Sequence, residues 1–98
     1  MSETNPNDLV RVHIWVMGRV QGVGFRAFVQ QSGLLFGLTG WVRNTGYDQV
    51  EMVAEGRREV VERFVEAVKI GPRASHVDDA RIEWEMSTGE LGQFGIRF

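Results

Sequence analysis

One segment of the chain combines glycines and an arginine in a spacing that is typical of anion binding. Residues 18–26 read Gly-Arg-Val-Gln-Gly-Val-Gly-Phe-Arg and join a predicted strand to a predicted helix. Gly22 and Gly24 can adopt backbone conformations that other residues avoid, so successive amide N–H groups can converge on one anion. The unpaired N–H groups at the start of the helix add to these donors. Arg26, in the first helical turn, can add a bidentate guanidinium, and a phosphate group fits the complete set.

The distribution of charge along the chain agrees with an anion site in this segment. The chain has 11 Lys and Arg residues against 13 Asp and Glu residues, which gives a net charge of −2. Residues 9–47 nevertheless contain no Asp or Glu, while four arginines fall among them: Arg11, Arg19, Arg26 and Arg43. We therefore expect carboxylates to lie away from the loop. The alternative is an ordinary glycine-rich turn with Arg26 as a solvated surface residue, because short glycine motifs often occur without a ligand.

Asn44 is the second candidate for chemistry, because it ends the second predicted strand. In the predicted topology, strands one and two run parallel with strand three between them. Their carboxyl ends then lie at the same edge of the sheet, about 10 Å apart. An amide side chain donates and accepts hydrogen bonds together, so Asn44 can orient a water molecule beside the loop. The alternative is that Asn44 only begins the hairpin turn, as Asn often does.

Hydrophobic periodicity predicts the elements that position these residues. Alternating or helical spacing predicts strands over 9–17, 38–44, 49–55 and 77–86, helices over 25–36 and 57–70, and a short last strand over 94–98. Right-handed crossovers place both helices on one face of an antiparallel sheet. The prediction is an α+β fold, a ferredoxin-like α/β sandwich of order β-α-β-β-α-β with a short extra C-terminal strand. Polar residues 1–8 are expected to form a flexible lead-in to one domain over 9–98.

Composition narrows the class of protein further. The 98 residues are 43% hydrophobic and 24% charged, which is typical of one globular domain. The chain has no cysteine, and its two histidines are far apart, so we expect no thiol nucleophile, no metal site and no cofactor. No apolar run is long enough to cross a bilayer, and the N-terminus lacks the pattern of a signal peptide. We expect a cytoplasmic protein that acts as a monomer, without a membrane or nucleic-acid partner.

Four segments give the sequence a resemblance to the acylphosphatase family. Residues 18–26 resemble the first signature of that family, and residues 40–44 (Gly-Trp-Val-Arg-Asn) resemble the second; residues 71–77 and 94–98 are similar to its later segments. The resemblance implies a ferredoxin-like fold and a metal-independent enzyme that hydrolyses the carboxyl-phosphate anhydride of small acyl phosphates. It implies that Arg26 binds the phosphate and that Asn44 positions the attacking water. The phosphate cradle implied by the resemblance comprises Gln21, Gly22, Val23, Gly24, Phe25 and Arg26.

The sequence departs from the pattern of the family at the tip of the predicted hairpin. Tyr47 and Asp48 stand where the family usually has Asp-Gly, while the length of the segment is unchanged. A tip without glycine must adopt a different turn or accept backbone strain at Asp48. We therefore expect an effect on turn geometry rather than on the chemistry of the site.

Two other functions suit the same fold. An RNA-binding module needs aromatic side chains on the exposed strand faces, and strand one offers His13 and Trp15. The carboxylates of Glu51 and Glu55 on strand three would repel phosphates, which argues against this function. The second alternative is a module that binds anions without catalysis. The presence of both Arg26 and Asn44 argues against it.

The remaining large side chains are assigned to the core or to the sheet surface. Met52, Trp84 and Met86 occupy inward-facing strand positions and are expected in the core. Trp15 and Trp41 are expected either to cover the open face of the sheet or to mark a partner surface. Neither histidine is expected at the loop, since His13 lies along a strand and His76 follows Pro72 in a solvated loop.

Overall fold

The computed structural model describes residues 8–98 and contains seven elements in the predicted order. The elements are β1 (Leu9–Arg19), α1 (Phe25–Leu35), β2 (Thr39–Thr45), β3 (Gln49–Arg57), α2 (Arg58–Ile70), β4 (His76–Met86) and β5 (Gly95–Ile96). The predicted lead-in falls outside the described residues except for Asp8. The carbonyl oxygen of Asp8 accepts a hydrogen bond from the Arg58 amide at 2.8 Å, which satisfies the first amide of α2.

The five strands form one sheet in the order β4-β1-β3-β2-β5. β3 pairs antiparallel with both β1 and β2, so β1 and β2 run parallel on either side of it, as predicted. β4 is antiparallel to β1, whereas β5 adds parallel to β2, with Gly95 opposite Trp41. The sheet is therefore mixed rather than wholly antiparallel, and the predicted last strand is shortened to Gly95–Ile96.

Both helices pack on one face of the sheet and enclose the core. The alternation predicted for β1 places Val10, Val12, Ile14 and Val16 on this face, each at most 5% exposed. The helices contribute Phe25 and Val29 from α1 and Val61, Phe64, Val65 and Val68 from α2. Full burial of such a side chain stabilises the fold by about 1.5–3 kcal/mol. The shared core holds the beginning of α1 against the carboxyl ends of β1 and β2.

Of the three strand residues predicted for the core, only Met52 is fully buried. The prediction was wrong for Trp84 and Met86, which are 41% and 88% exposed. Both residues point to the helix side, opposite Val12 and Val10 of β1, but they belong to the edge strand β4. An edge strand has a neighbouring strand on one side only, so inward-facing side chains on it keep contact with solvent.

The face of the sheet opposite the helices is covered by its own side chains. The His13 ring stacks on Trp15 with ring centroids 3.8 Å apart. The guanidinium of Arg81 lies 5.0 Å from the centre of Trp15, and that of Arg97 lies 4.7 Å from the centre of Trp41. Cations over aromatic faces are attracted by the ring quadrupole. Arg43 also lies over Trp41, at 5.3 Å, so the two tryptophans cover the open face together with His13 and three arginines.

Glu51 and Glu55 of β3 are also buried on this face, at 7% and 4% exposed. His13 Nε2 and Arg43 Nε lie 2.6 and 2.8 Å from the two carboxylate oxygens of Glu51. Burial raises the pKa of Glu51, but hydrogen bonds from Arg43 and His13 outweigh it, and the net result is a lowered pKa. The same contacts place His13 outside the glycine-rich loop.

Candidate active site

A cavity of about 230 Å³ opens at the sheet edge where β1 and β2 end. Arg26 and Asn44 both line it, so the structure brings together the two side chains that sequence reasoning selected. The full lining is Val20, Gly22, Gly24, Phe25, Arg26, Ala27, Asn44, Ile96 and Phe98. One wall is thus the glycine-rich loop with the first turn of α1, and the other comes from β2 and β5.

The two cavity-lining glycines of the loop adopt the left-handed conformation. Gly22 has φ 73°, and Gly24, immediately before α1, has φ 78° and ψ 18°. A Cβ at either position would have open space around it, so the backbone angle, rather than crowding, favours glycine. The helical ladder begins with the hydrogen bond from the Phe28 amide to the Gly24 carbonyl. No side chain caps the amides that precede it, so they are available to an anion.

Arg26 carries the uncompensated positive charge of the cavity. Across residues 8–98 no carboxylate forms an ion pair with it, and α1 has no acidic residue in its first turn. Its guanidinium carbon lies 5.3 Å from the centre of the Phe98 ring, which forms part of the same lining. A planar guanidinium held over an aromatic ring keeps its N–H groups free for a phosphate.

Two of the four arginines in residues 9–47 form ion pairs away from the cavity. Arg11 pairs with buried Glu55 at 3.3 Å, and Arg43 pairs with Glu51 at 2.8 Å. Both pairs lie on the open face of the sheet, away from the cavity. These carboxylates come from β3, which follows the acid-free stretch in sequence but runs beside it in space. Glu85 of β4 pairs with Arg11 as well, at 3.1 Å.

Asn44 faces the cavity because it lies on the helix side of β2. Side chains alternate along the strand, so Asn44 shares a face with buried Val42, while Arg43 points to the open face. The Oδ1 atom of Asn44 is buried and has no hydrogen-bond partner among residues 8–98. Buried polar atoms are nearly always hydrogen-bonded in proteins, so an unpaired acceptor in a cavity wall is suited to a water or ligand.

Gln21 and Val23, the other two residues of the predicted cradle, do not line the cavity. Val23 is partly buried and packs against the core. The side-chain amide of Gln21 points to the hairpin, where its nitrogen donates to the carbonyl oxygens of Gly46 at 3.0 Å and Gln49 at 2.8 Å. The structure therefore separates the loop into residues that line the cavity and residues that hold the loop in place.

The tip of the hairpin accommodates Tyr47 and Asp48 by a different turn. Gly46 supplies the positive φ, at 68°, and no residue other than glycine has a positive φ within residues 8–98. Asp48 is therefore unstrained, and its carbonyl oxygen accepts a hydrogen bond from the Gly18 amide at 2.9 Å. Tyr47 is 99% exposed and lies outside the cavity.

Four lining residues were not predicted from the sequence: Val20, Ala27, Ile96 and Phe98. Val20 lies within residues 18–26 and Ala27 directly follows them, so both are adjacent to residues that were predicted. Ile96 and Phe98 reach the cavity because β5 lies beside β2, opposite Trp41 and Val42. Periodicity predicted a last strand but carries no information about which edge of the sheet it joins.

Within residues 8–98 no cluster of three or more His, Asp or Glu side chains is placed to hold a metal ion. The polar groups of the cavity are instead an arginine, an amide and backbone N–H groups, a donor set suited to phosphate. Among the described helices, neither α1 nor α2 is long and apolar enough to cross a membrane. The fold and the cavity together place the protein in the class of small α+β domains with a donor set suited to phosphate.

Comparison with known proteins identifies the family within this class to which the chain belongs. The sequence profile of the acylphosphatase family matches residues 12–96, and the chain belongs to that family. The acylphosphatase of Syntrophotalea carbinolica is 47% identical over 89 residues, which cover 91% of this chain and 97% of the relative. The acylphosphatase of Trichormus variabilis is 45% identical over 91 residues, covering 93% and 90%.

A solved structure extends the similarity to three dimensions. The crystal structure of the Bacillus subtilis acylphosphatase superimposes with a TM-score of 0.86 at 42% identity, covering 91% of this chain and 99% of that one. Both the fold and the resemblance derived from the sequence are confirmed. The protein is an enzyme that hydrolyses acyl phosphates, with a small molecule as substrate.

Proposed function

We propose that the cavity is the active site, in which Arg26 and the loop amides bind the phosphoryl group and Asn44 positions the attacking water. One observation carries this assignment. A cation without a carboxylate partner and a buried amide oxygen without a hydrogen bond line the same cavity of about 230 Å³. Groups left unpaired in this way are matched by a ligand that brings both negative charge and a hydrogen-bond donor.

The phosphoryl group lies against the loop and the first turn of α1 in this proposal. Left-handed Gly22 and Gly24 line this wall, a loop conformation in which backbone N–H groups can converge on an anion, and the positive end of the helix dipole favours it. Arg26 binds two phosphoryl oxygens with its planar fork. As the bond to the carboxylate breaks, charge spreads over the phosphoryl oxygens, and these fixed donors stabilise it.

The water is held on the opposite side, by Asn44. Its Oδ1 accepts a hydrogen bond from the water and directs the oxygen lone pair at phosphorus, in line with the departing carboxylate. A carboxylate is a weak base and leaves without an acid to protonate it. In the part of the chain that the structure describes, no His, Asp or Glu lines the cavity, so we infer that the phosphoryl group itself accepts the proton of the water.

We further propose that the enzyme acts as a monomer in the cytoplasm. All proposed catalytic and binding groups come from one chain, so the site does not require a second subunit. The absence of cysteine from the sequence agrees with a reducing compartment. Sedimentation of the active enzyme at assay concentration, and fractionation of cells that produce it, test these two points.

A hydrolysis assay tests the proposed function. The wild-type enzyme is given acetyl phosphate, and a phosphate monoester of similar size serves as the control substrate. We expect release of inorganic phosphate from the anhydride and none above background from the ester, since the site has no group to protonate an alkoxide leaving group. Comparable rates on the two substrates would contradict the proposed mechanism.

A further inference from the structure

Gln21 connects the phosphate loop to the hairpin that carries Asn44. Its side-chain nitrogen uses both hydrogens on that hairpin, donating to the Gly46 carbonyl at 3.0 Å and the Gln49 carbonyl at 2.8 Å. These two carbonyls lie on either side of the turn. Gln21 immediately precedes Gly22 of the cavity wall. The side-chain amide of Gln21 therefore links the loop wall directly to the hairpin.

Other hydrogen bonds hold the same junction together. Gln49 Nε2 donates to Thr45 Oγ1 at 2.8 Å, which closes the hairpin beside Asn44. The Gly18 amide donates to the Asp48 carbonyl at 2.9 Å, so the start of the loop is also attached to the turn. Of these contacts, only the bonds from Gln21 attach the part of the loop that directly adjoins the cavity. Packing of Val20, Val23 and Phe25 holds the loop against the core, and the Gln21 side chain adds the direct hydrogen bonds from this part of the loop to the hairpin.

We propose that Gln21 is a positioning residue that fixes the phosphate loop at the correct distance from Asn44. The inference rests on the roles proposed above for Arg26 and Asn44. The side chain of Gln21 does not line the cavity, so it acts through the geometry of the two walls. Gln21 affects catalysis through its hydrogen bonds to the hairpin rather than through a contact with substrate.

This role predicts which kinetic constant changes. Phosphate binding needs only the loop and Arg26, which move together and keep their mutual geometry. In-line attack also needs the water on Asn44 at the right place, and a misplacement of about 1 Å can lower the rate about 10²-fold. Loss of the connection should therefore lower kcat while KM and inhibition by inorganic phosphate stay nearly constant.

The first test replaces Gln21 by methionine, which keeps the length of the side chain but removes both donors. We expect Gln21→Met to lower kcat about 10- to 100-fold, with phosphate inhibition changed less than about threefold. Gln49→Ala is the matched control, because it removes a neighbouring side-chain hydrogen bond but leaves the Gln49 carbonyl as an acceptor. Wild-type kcat in Gln21→Met, or an equal loss of phosphate affinity, would overturn the proposal.

A double-mutant cycle tests whether Gln21 acts through Asn44. Combined with Asn44→Ala, Gln21→Met should lower kcat by less than about twofold, because the water is then already unpositioned. If Gln21→Met lowered kcat by the same factor in the wild-type and Asn44→Ala enzymes, the positioning role would be overturned and the proposed function would be unaffected. An unchanged kcat in Asn44→Ala alone would instead refute the proposed function, so the two failures are distinguishable.

Gln21→Glu provides a test that does not depend on how well the methionine variant folds. An ionised carboxylate has no hydrogen to donate to the two carbonyls, whereas the protonated acid has one. The ratio of variant to wild-type kcat should therefore rise as the pH falls through the usual range of a glutamic acid, about 4 to 5. A ratio that is constant with pH would contradict the proposed hydrogen-bond connection.

Discussion

Arg26 in the first turn of α1 and Asn44 near the end of β2 line one cavity. Among residues 8–98, the Arg26 guanidinium has no carboxylate partner and Asn44 Oδ1 accepts no hydrogen bond. The cation and the acceptor occupy different walls. This arrangement divides the work proposed for the site, because one wall binds the phosphoryl group and the other positions the water. Substitutions on the two walls can therefore separate phosphate binding from turnover.

Replacement of Arg26 should affect both binding and turnover. Arg26→Ala should lower kcat/KM about 10³-fold or more, since arginines that stabilise transferring phosphoryl groups contribute on this scale. Arg26→Lys should not restore activity, because a point charge cannot reproduce the planar fork. Steady-state kinetics with acetyl phosphate measures kcat/KM for the two variants.

Arg19→Ala is the control for this prediction. Arg19 is exposed at the end of β1 and does not line the cavity, so its loss removes a positive charge near the loop without changing the site. We expect it to retain most activity. If Arg19→Ala and Arg26→Ala were equally impaired, the contribution would be a general electrostatic one rather than binding by Arg26.

Activity should be independent of divalent metal ions. In the proposed site, an arginine and backbone amides neutralise the phosphoryl charge. In many other phosphoryl-transfer enzymes a metal cation has this role. Assays before and after exhaustive dialysis against EDTA should give the same kcat/KM. Loss of activity on dialysis, with recovery on adding Mg²⁺ or Zn²⁺, would show that the donor set has been misassigned.

Glu55 should make the stability of the fold dependent on pH. Burial raises the pKa of Glu55, but hydrogen bonds from the backbone and hydroxyl groups of residues 87–89 outweigh it and lower the pKa from 4.5 to about 2. The ionised group thus stabilises the folded state at neutral pH. This contribution is complete above the unfolded pKa of 4.5 and is lost as the pH falls towards 2.

Glu55→Gln tests this linkage in chemical denaturation. The shift in pKa corresponds to about 3 kcal/mol at neutral pH, so the variant should be less stable by an amount of this order. The difference from wild type should shrink between about pH 4.5 and pH 2. Glu66→Gln, which removes an exposed ion pair with Lys69 outside the first turn of α2, is the control. A difference that does not vary with pH would exclude the carboxylate of Glu55 as its source.

The sequence predicted the parts of the fold and site that depend on local patterns. Alternation in β1 and helical spacing in α1 and α2 identified the core, because burial imposes those periods on the chain. The glycines around Arg26 predicted the loop, since left-handed backbone angles favour glycine. Asn44 followed from topology, because parallel strands end at the same edge of a sheet.

Other features depend on relations between distant segments that a single pattern does not contain. Phe98 reaches the cavity only because β5 joins the sheet beside β2, and Met86 is exposed because β4 forms an edge. Glu51 is buried because His13 and Arg43, from two neighbouring strands, pair with it. The connection made by Gln21 likewise depends on where the hairpin carbonyls lie, which its position in the motif does not indicate.

The most direct measurement of the central claim is kcat together with inorganic phosphate affinity in Asn44→Ala. Positioning of the water matters in the transition state, whereas ground-state binding comes from the loop and Arg26. We predict a kcat lower by about 10²–10³-fold, the usual cost of losing one preorganised polar contact, with phosphate affinity within about threefold of wild type. A preserved kcat with reduced phosphate affinity and a lower thermal midpoint would contradict the account and make Asn44 a structural residue of the hairpin.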